Sequence, residues 1–89
     1  MALARAELAA GRAAQAETTV DKASRLAQAD AKAPPSLLAD IAITRAEISR
    51  ARSRPGANAL ATRGLALCDH DACGIARYGL HHRAAQLER

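Results

Sequence analysis

The sequence has almost no aromatic residues: Tyr78 is the only one, and phenylalanine and tryptophan are absent. A single aromatic side chain does not form a platform on which successive unpaired nucleotide bases would stack. Strand-forming β-branched residues are also scarce, whereas alanine and leucine, which favour helices, are abundant. The composition therefore predicts an all-α fold and disfavours both a sheet and the recognition of single-stranded nucleic acid.

Long apolar runs are missing as well. No stretch approaches the roughly 18 uncharged apolar residues of a membrane-spanning helix. Residues 1–14 do not resemble a signal peptide, because Arg5, Glu7 and Arg12 interrupt any apolar segment. Cys68 and Cys73 are too few for a disulfide framework, so we expect reduced thiols. These features predict a cytoplasmic protein without membrane contact.

The same cysteines and the nearby histidines do not have the pattern of a metal site. Cys68 and Cys73 are accompanied by His70, His81 and His82. Two adjacent histidines on a helix point about 100° apart, and there is no second close pair of ligands. Glycine-rich phosphate loops are absent too. We therefore predict no metal, no cofactor and no enzymatic activity, and a zinc-stabilised helical module stays a third hypothesis that the metal content of the purified protein would decide.

The length and charge are those of one small basic domain. The chain has 89 residues, a net charge of +4 and a hydrophobic fraction of 49%, of which roughly half is alanine. Alanine-rich helices approach one another closely and leave little room for a cofactor cavity. A basic surface favours an acidic partner protein or a nucleic acid.

Turn-forming residues divide the chain into helical segments. Residues 2–33 form either one long helix or two helices that turn near Gly11, and the turn is favoured because glycine weakens a helix interior. Pro34-Pro35-Ser36 and Ser53–Gly56 are further breaks. Apolar stripes are predicted on two of the segments, at Ala16, Val20, Ala23 and Ala27, and at Leu37, Ile41, Thr44, Ile48 and Ala51. Later helices are expected over residues 37–52, 57–68 and 72–87, the last capped by Asp71.

Short motifs recur along the chain. Arg5-Ala6-Glu7-Leu8 returns as Arg45-Ala46-Glu47-Ile48 after 40 residues. A looser match relates residues 26–31 to residues 67–72, and Arg83-Ala84-Ala85-Gln86-Leu87 opens a third copy. The recurrence predicts tandem antiparallel helical hairpins, with a simple helical bundle as the alternative.

The repeat resembles the tetratricopeptide family, because Gly11, Ala23 and Pro35 follow that family's spacing of twelve and twelve residues. The period near 40 is more similar to the degenerate repeats of large LuxR-type, ATP-dependent bacterial regulators. The resemblance implies a short α-solenoid of about two and a half repeats, in one domain over residues 1–89. The repeats would cover about residues 2–35, 36–71 and, in part, 72–89.

The resemblance also implies a function in binding other proteins. The chain would be a scaffold, or a fragment of a larger regulatory or signalling protein, with a groove for a partner peptide of acidic character. The groove positions implied by the family are Arg5, Arg12, Arg45 and Arg52. Because the last helix lacks a partner helix, we expect Ala76, Leu80 and Leu87 to form an exposed end that supports self-association.

The alternative function is a small basic helical protein that binds nucleic acid. Arg50, Arg52 and Arg54 form an alternating basic run that would contact phosphates. The same arginines also fit the end of a helix, where positive charge opposes the helix dipole.

Overall fold

The computed structural model describes residues 1–68 and 72–87. This part of the chain contains five helices and no strand, and 76% of its residues are helical. The predicted all-α class is therefore confirmed. The helices are α1 (Ala2–Ala9), α2 (Ala13–Ala29), α3 (Pro35–Ala51), α4 (Ala57–Ala66) and α5 (Ala76–Leu87).

The turns that follow α1 and α3 have the same hydrogen-bonding pattern. After α1, Gly11 has a φ of +80°, and the backbone N–H group of Arg12 donates to the carbonyl of Glu7, with 2.8 Å between nitrogen and oxygen. After α3, Ser53 has a φ of +55°, and the backbone N–H group of Arg54 donates to the carbonyl of Ser49, with 2.8 Å between nitrogen and oxygen. Both are helix ends of the Schellman type, which place one left-handed residue beyond the helix. The predicted turn near Gly11 is confirmed.

Helix α3 occupies the centre of the molecule. It begins at Pro35, where a missing N–H group has no cost because the first turn of a helix has free donors. Helices α1 and α2 pack on one side of α3, and α4 and α5 pack on the other. The N-terminal cluster consists of Ala4, Ala16, Val20, Ala27, Ile41 and Ile48. The C-terminal cluster consists of Ala39, Ile43, Ala46, Ala61, Cys68, Cys73, Leu80 and Ala84.

The packing of α4 against α3 depends on Gly64. A Cβ atom at this position would lie 3.1 Å from both the Cβ of Ala42 and the Cγ1 of Ile43. The two helices therefore approach more closely than an alanine would permit without movement. Small residues on both helices allow this contact, as the alanine-rich composition predicts.

Several sequence-based details differ from the structure. Helix α5 begins at Ala76 instead of residue 72, because residues 72–75 form a turn in which Gly74 has a φ of +56°. Helix α4 ends at Ala66, two residues early. On α3, Leu37 is exposed, whereas Ile41 and Ile48 are buried as predicted. The expected cap at residue 71 lies outside the described residues.

Candidate functional site

A cluster of charged side chains lies between α3 and α5. The guanidinium of Arg83 donates from Nη1 to Asp40 Oδ1 at 2.6 Å and from Nη2 to Glu47 Oε1 at 2.6 Å. Arg83 Nη2 also donates to the hydroxyl of Thr44 at 2.9 Å. Asp40, Thr44 and Glu47 are spaced by four and three residues, so they form one stripe along α3. The Arg83 side chain is only 12% exposed, and this arrangement anchors α5 on α3.

Met1, which precedes α1, and Arg5 of α1 make two weaker contacts with the same face of α3. The amino group of Met1 lies 3.3 Å from Asp40 Oδ2. The Nε atom of Arg5 lies 4.0 Å from Glu47 Oε1, and 52% of the Arg5 side chain remains exposed. Arg5 is therefore held loosely, whereas Arg83 is held by several short hydrogen bonds.

Burial and charge act in opposite directions on this cluster. Burial by itself raises the pKa of Asp40, but the hydrogen bond and charge of Arg83, together with the Met1 amino group, outweigh it and lower that pKa below 3.8. Burial likewise opposes the charged form of Arg83, but its contacts with Glu47 and Asp40 raise the pKa of the guanidinium. Both groups are ionised at neutral pH, so the cluster is an ion-pair network and not an acid–base pair.

A groove with a volume of about 460 Å³ adjoins this network. We call it the α1–α5 groove, because α1 and α5 flank it and α3 lies between them. Its lining combines a small apolar area with two guanidinium groups, a carboxylate and a hydroxyl. The lining residues are Arg5, Ser36, Leu37, Asp40, Ala76, Gly79, Leu80 and Arg83.

The four arginines predicted to bind a partner do not meet in one groove. Arg5 lines the α1–α5 groove. Arg45 lies on the opposite side of α3, where its Nη1 is 2.8 Å from Oδ1 of Asp21 on α2. Arg52 lies 3.4 Å from a glutamate of α2, and Arg12 lies in the turn before α2, without an ion pair to any described residue. The recurring motif that contains Arg5 and Arg45 therefore does not place its arginines equivalently.

The predicted exposed end on α5 is largely covered. Leu80 is only 5% exposed and belongs to the C-terminal cluster, so the expectation is wrong for this residue. Leu87 is half-buried against the same cluster, and Ala76 is exposed beside the α1–α5 groove. The physical reason is that α5 packs on both α3 and α4, which cover its apolar side.

The expectation of reduced thiols is also wrong. Cys68 and Cys73 form a disulfide that joins the end of α4 to the turn before α5. Both cysteines are buried. Disulfides persist mainly in oxidising compartments, so the argument from free thiols for a cytoplasmic location does not hold.

Among the described residues, His81 and His82 take no part in a cluster of potential metal ligands. His81 and His82 are exposed, and His82 Nε2 lies 3.0 Å from the amide nitrogen of Gln86. His70 lies outside the described residues. Over residues 1–68 and 72–87, no group of three or more histidine, cysteine, aspartate or glutamate side chains is placed to hold a metal ion.

Sequence reasoning did not identify the Arg83 network. The available signal was the four-and-three spacing of Asp40, Thr44 and Glu47 on a helix whose other positions are mostly apolar. A polar stripe of this kind indicates either solvent or a partner of opposite charge. Only the position of α5 shows that the partner is Arg83.

Comparisons with protein-family models, curated proteins and solved structures found no match to this chain. Among the described helices, none combines the length and the apolar character that crossing a membrane requires.

Proposed function

We propose that this chain is a protein–protein interaction scaffold of tetratricopeptide-like helical hairpins, and that the α1–α5 groove binds an acidic peptide segment of a partner. In this proposal the chain catalyses no reaction and needs no cofactor. It acts by itself or as part of a larger bacterial regulatory or signalling protein.

The order of helix packing supports the hairpin part of the proposal. Each helix packs on the next one in sequence, and α3 also contacts both α1 and α5. Stacked hairpins have this pattern, because the first helix of each unit touches the first helix of the next. The two helix ends with the same cap, after α1 and after α3, lie inside the two proposed hairpins.

The loosely held Arg5 carries the binding part of the proposal. The Arg5 side chain is half-exposed and its Nε lies 4.0 Å from Glu47 Oε1, so the guanidinium remains available to a second carboxylate. Arg83 is held by four hydrogen bonds to side chains of α3 and serves to position the groove. Leu37 adds an exposed apolar contact, with 36% of its surface exposed. An arginine beside an apolar surface fits a peptide that carries an acidic side chain or a terminal carboxylate.

A peptide-display experiment tests this proposal. The folded chain is used to select from a library of random 12-residue peptides, and selected peptides are measured by fluorescence anisotropy. We expect enrichment of acidic peptides and about tenfold weaker binding to Arg5→Ala, since a charge-assisted hydrogen bond is lost. Arg25→Ala is the matched control, because Arg25 is exposed on α2 outside the groove. Equal binding by both variants would refute the assignment of the groove.

The alternative function, binding of nucleic acid, depended on the basic run at residues 50–54. In the structure Arg52 and Arg54 both pair with Glu17, at 3.4 Å and 2.8 Å, and Arg50 donates to the carbonyl of Gln86 at 2.7 Å. These contacts occupy the run within the chain. Binding of a labelled 20-base-pair duplex that falls steeply between 50 and 200 mM salt would favour the alternative over the scaffold.

A further inference from the structure

A second groove lies on the other side of α3 and is separate from the α1–α5 groove. We call it the α2–α4 groove, because α2 and α4 form its walls. Its floor is a single stripe of α3, formed by Leu38, Ile41, Ala42, Arg45, Ile48 and Ser49. Successive residues of a helix turn by about 100°, so this stripe faces away from the stripe that binds Arg83.

The walls repeat the spacing of the floor. On α2 the lining residues are Glu17, Val20, Ser24 and Gln28, and on the α4 side they are Leu60, Arg63 and Leu67. Steps of three and four residues are those of a helix that presents one side to a neighbouring helix. Three such stripes therefore face one groove, an arrangement that a further helix would complete.

The dimensions of the groove fit a short helix. The floor extends from Leu38 to Ser49, which corresponds to a rise of about 16 Å, or three helical turns. Two cavities of about 310 Å³ and about 190 Å³ lie along it, and Arg45 and Leu60 line both. The two cavities are therefore neighbours along α3, over a length that a helix of about 11 residues spans.

The chemistry of the lining defines the partner. Leu67 is 43% exposed, which leaves apolar surface for a hydrophobic anchor. Among the lining arginines, Arg45 and Arg54 are already paired with Asp21 and Glu17, so the positive charge left for a partner is that of Arg63. Arg63 is exposed and forms no ion pair with any described residue. A second copy of this chain, with its net charge of +4, is a poor electrostatic match.

We propose that the α2–α4 groove binds an amphipathic helix of a partner protein, with leucine-like side chains against Leu60 and Leu67 and acidic side chains toward Arg63. Helices commonly dock into such grooves through apolar residues at i, i+3, i+4 and i+7. This site is additional to the peptide site of the proposed function and does not depend on it.

The test uses a synthetic helical peptide of 14 residues, stapled, with leucines on one side and glutamates on both flanks. Its binding to the full chain is measured by fluorescence anisotropy at low salt. We expect Arg63→Glu to weaken binding by about tenfold, because attraction becomes repulsion. Lys32→Glu is the matched control, since Lys32 is exposed outside the groove and the charge change is the same. Circular dichroism verifies that both variants fold.

Two further measurements separate this site from the α1–α5 groove. Arg5→Ala should leave the affinity for the helical peptide unchanged, and amide shifts in NMR spectra should concentrate at Leu60, Arg63 and Leu67. Shifts at Ser36 and Gly79 instead would move the peptide to the α1–α5 groove and overturn the proposal. Failure to bind at 1 mM peptide, or equal binding to Arg63→Glu and Lys32→Glu, would also overturn the proposal. So would self-association of the chain that the Leu67→Asp substitution abolishes, because the groove would then bind a second copy.

Discussion

The two sides of α3 are held by different interactions. The N-terminal cluster, under α1 and α2, is made of alanines and three β-branched residues of α2 and α3. The ion pairs on this side, such as Arg45 with Asp21, lie at the surface and stabilise little, about 0–1 kcal/mol each. The C-terminal side adds a disulfide and the nearly buried Arg83 network to its apolar contacts.

The difference follows from the sequence of α5. This helix has few large apolar residues, and only Leu80 and Ala84 are buried on it. Such a helix gains little free energy from burial, at about 25 cal/mol per Å² of apolar surface. Its position is therefore fixed by the Arg83 contacts and by the covalent link that precedes it. A weakly amphipathic helix needs directional contacts where a strongly amphipathic one needs only its apolar stripe.

The largest effect is expected from Ile48→Asp, which puts a charge into the N-terminal cluster. Ile48 is 2% exposed, and an unpaired buried carboxylate costs more than about 4 kcal/mol. We expect loss of the helical circular dichroism signal for the whole chain, because α3 joins both sides. Ile75→Asp is the control, since Ile75 is 87% exposed. A folded Ile48→Asp variant would show that α3 is packed differently.

A smaller loss of folding stability is expected from Arg83→Met, which leaves Asp40 and Glu47 without their common partner. Removing one member of a buried ion pair costs about 3 kcal/mol, toward the low end here because the Arg83 side chain remains 12% exposed. Urea unfolding monitored at 222 nm measures the loss. Arg63→Met is the control without an ion pair, and an equal loss in both variants would contradict the stabilising role of the network.

The network also predicts how stability depends on pH. The folded-state pKa of Asp40 is lowered from its ordinary value, so the ionised carboxylate contributes its full stabilisation above the unfolded-state pKa. The contribution is lost as the pH falls from the unfolded-state pKa through the folded-state pKa, because the unfolded chain takes up the proton at the higher pH. Arg83→Met should lose less stability than the wild type between pH 5 and pH 2. If the free energy of unfolding of the two proteins had the same dependence on pH, the Arg83 contact would not be the cause of the lowered Asp40 pKa.

The disulfide should contribute less than the network. Cys68 and Cys73 are five residues apart, and closing so short a loop stabilises by about 2 kcal/mol in the chain-entropy model. The double variant Cys68→Ala, Cys73→Ala should lower the melting temperature. Hydrogen exchange should accelerate more at Leu80 than at Val20, since α5 follows the link. Dithiothreitol should affect only the wild type, and equal acceleration on both sides of α3 would contradict a local role.

The smallest effect compares the two equivalent helix ends. Ser53 adopts a φ of +55°, whereas Gly11 occupies the corresponding position with a φ of +80°. A left-handed conformation costs a non-glycine residue about 1 kcal/mol. Ser53→Gly should therefore stabilise the chain by about that amount, and Gly11→Ser should destabilise it similarly. Thermal melts of both variants check the pair, and changes of the same sign would show that the two turns are not equivalent.

The sequence was most informative where one helix has one continuous apolar stripe. Ala16, Val20 and Ala27 are buried as their spacing predicts. It was least informative on α3, which buries two stripes and therefore has no single apolar side. Ile43, outside the predicted stripe, is fully buried, while Leu37, inside it, is exposed. The recurring motif also did not predict equivalent positions, because Ala46 is buried and the matching Ala6 is exposed.

The sequence by itself determined the helical class, the breaks at Gly11 and the prolines, and the stripe on α2, because these depend on local backbone preferences and on the spacing of residues within one helix. The tertiary structure alone decided the pairing of Arg83 with Asp40 and Glu47, the disulfide, the burial of Leu80 and the separation of Arg5 from Arg45. Each of these depends on the angle and height at which one helix crosses another. No spacing within a single helix encodes that relation.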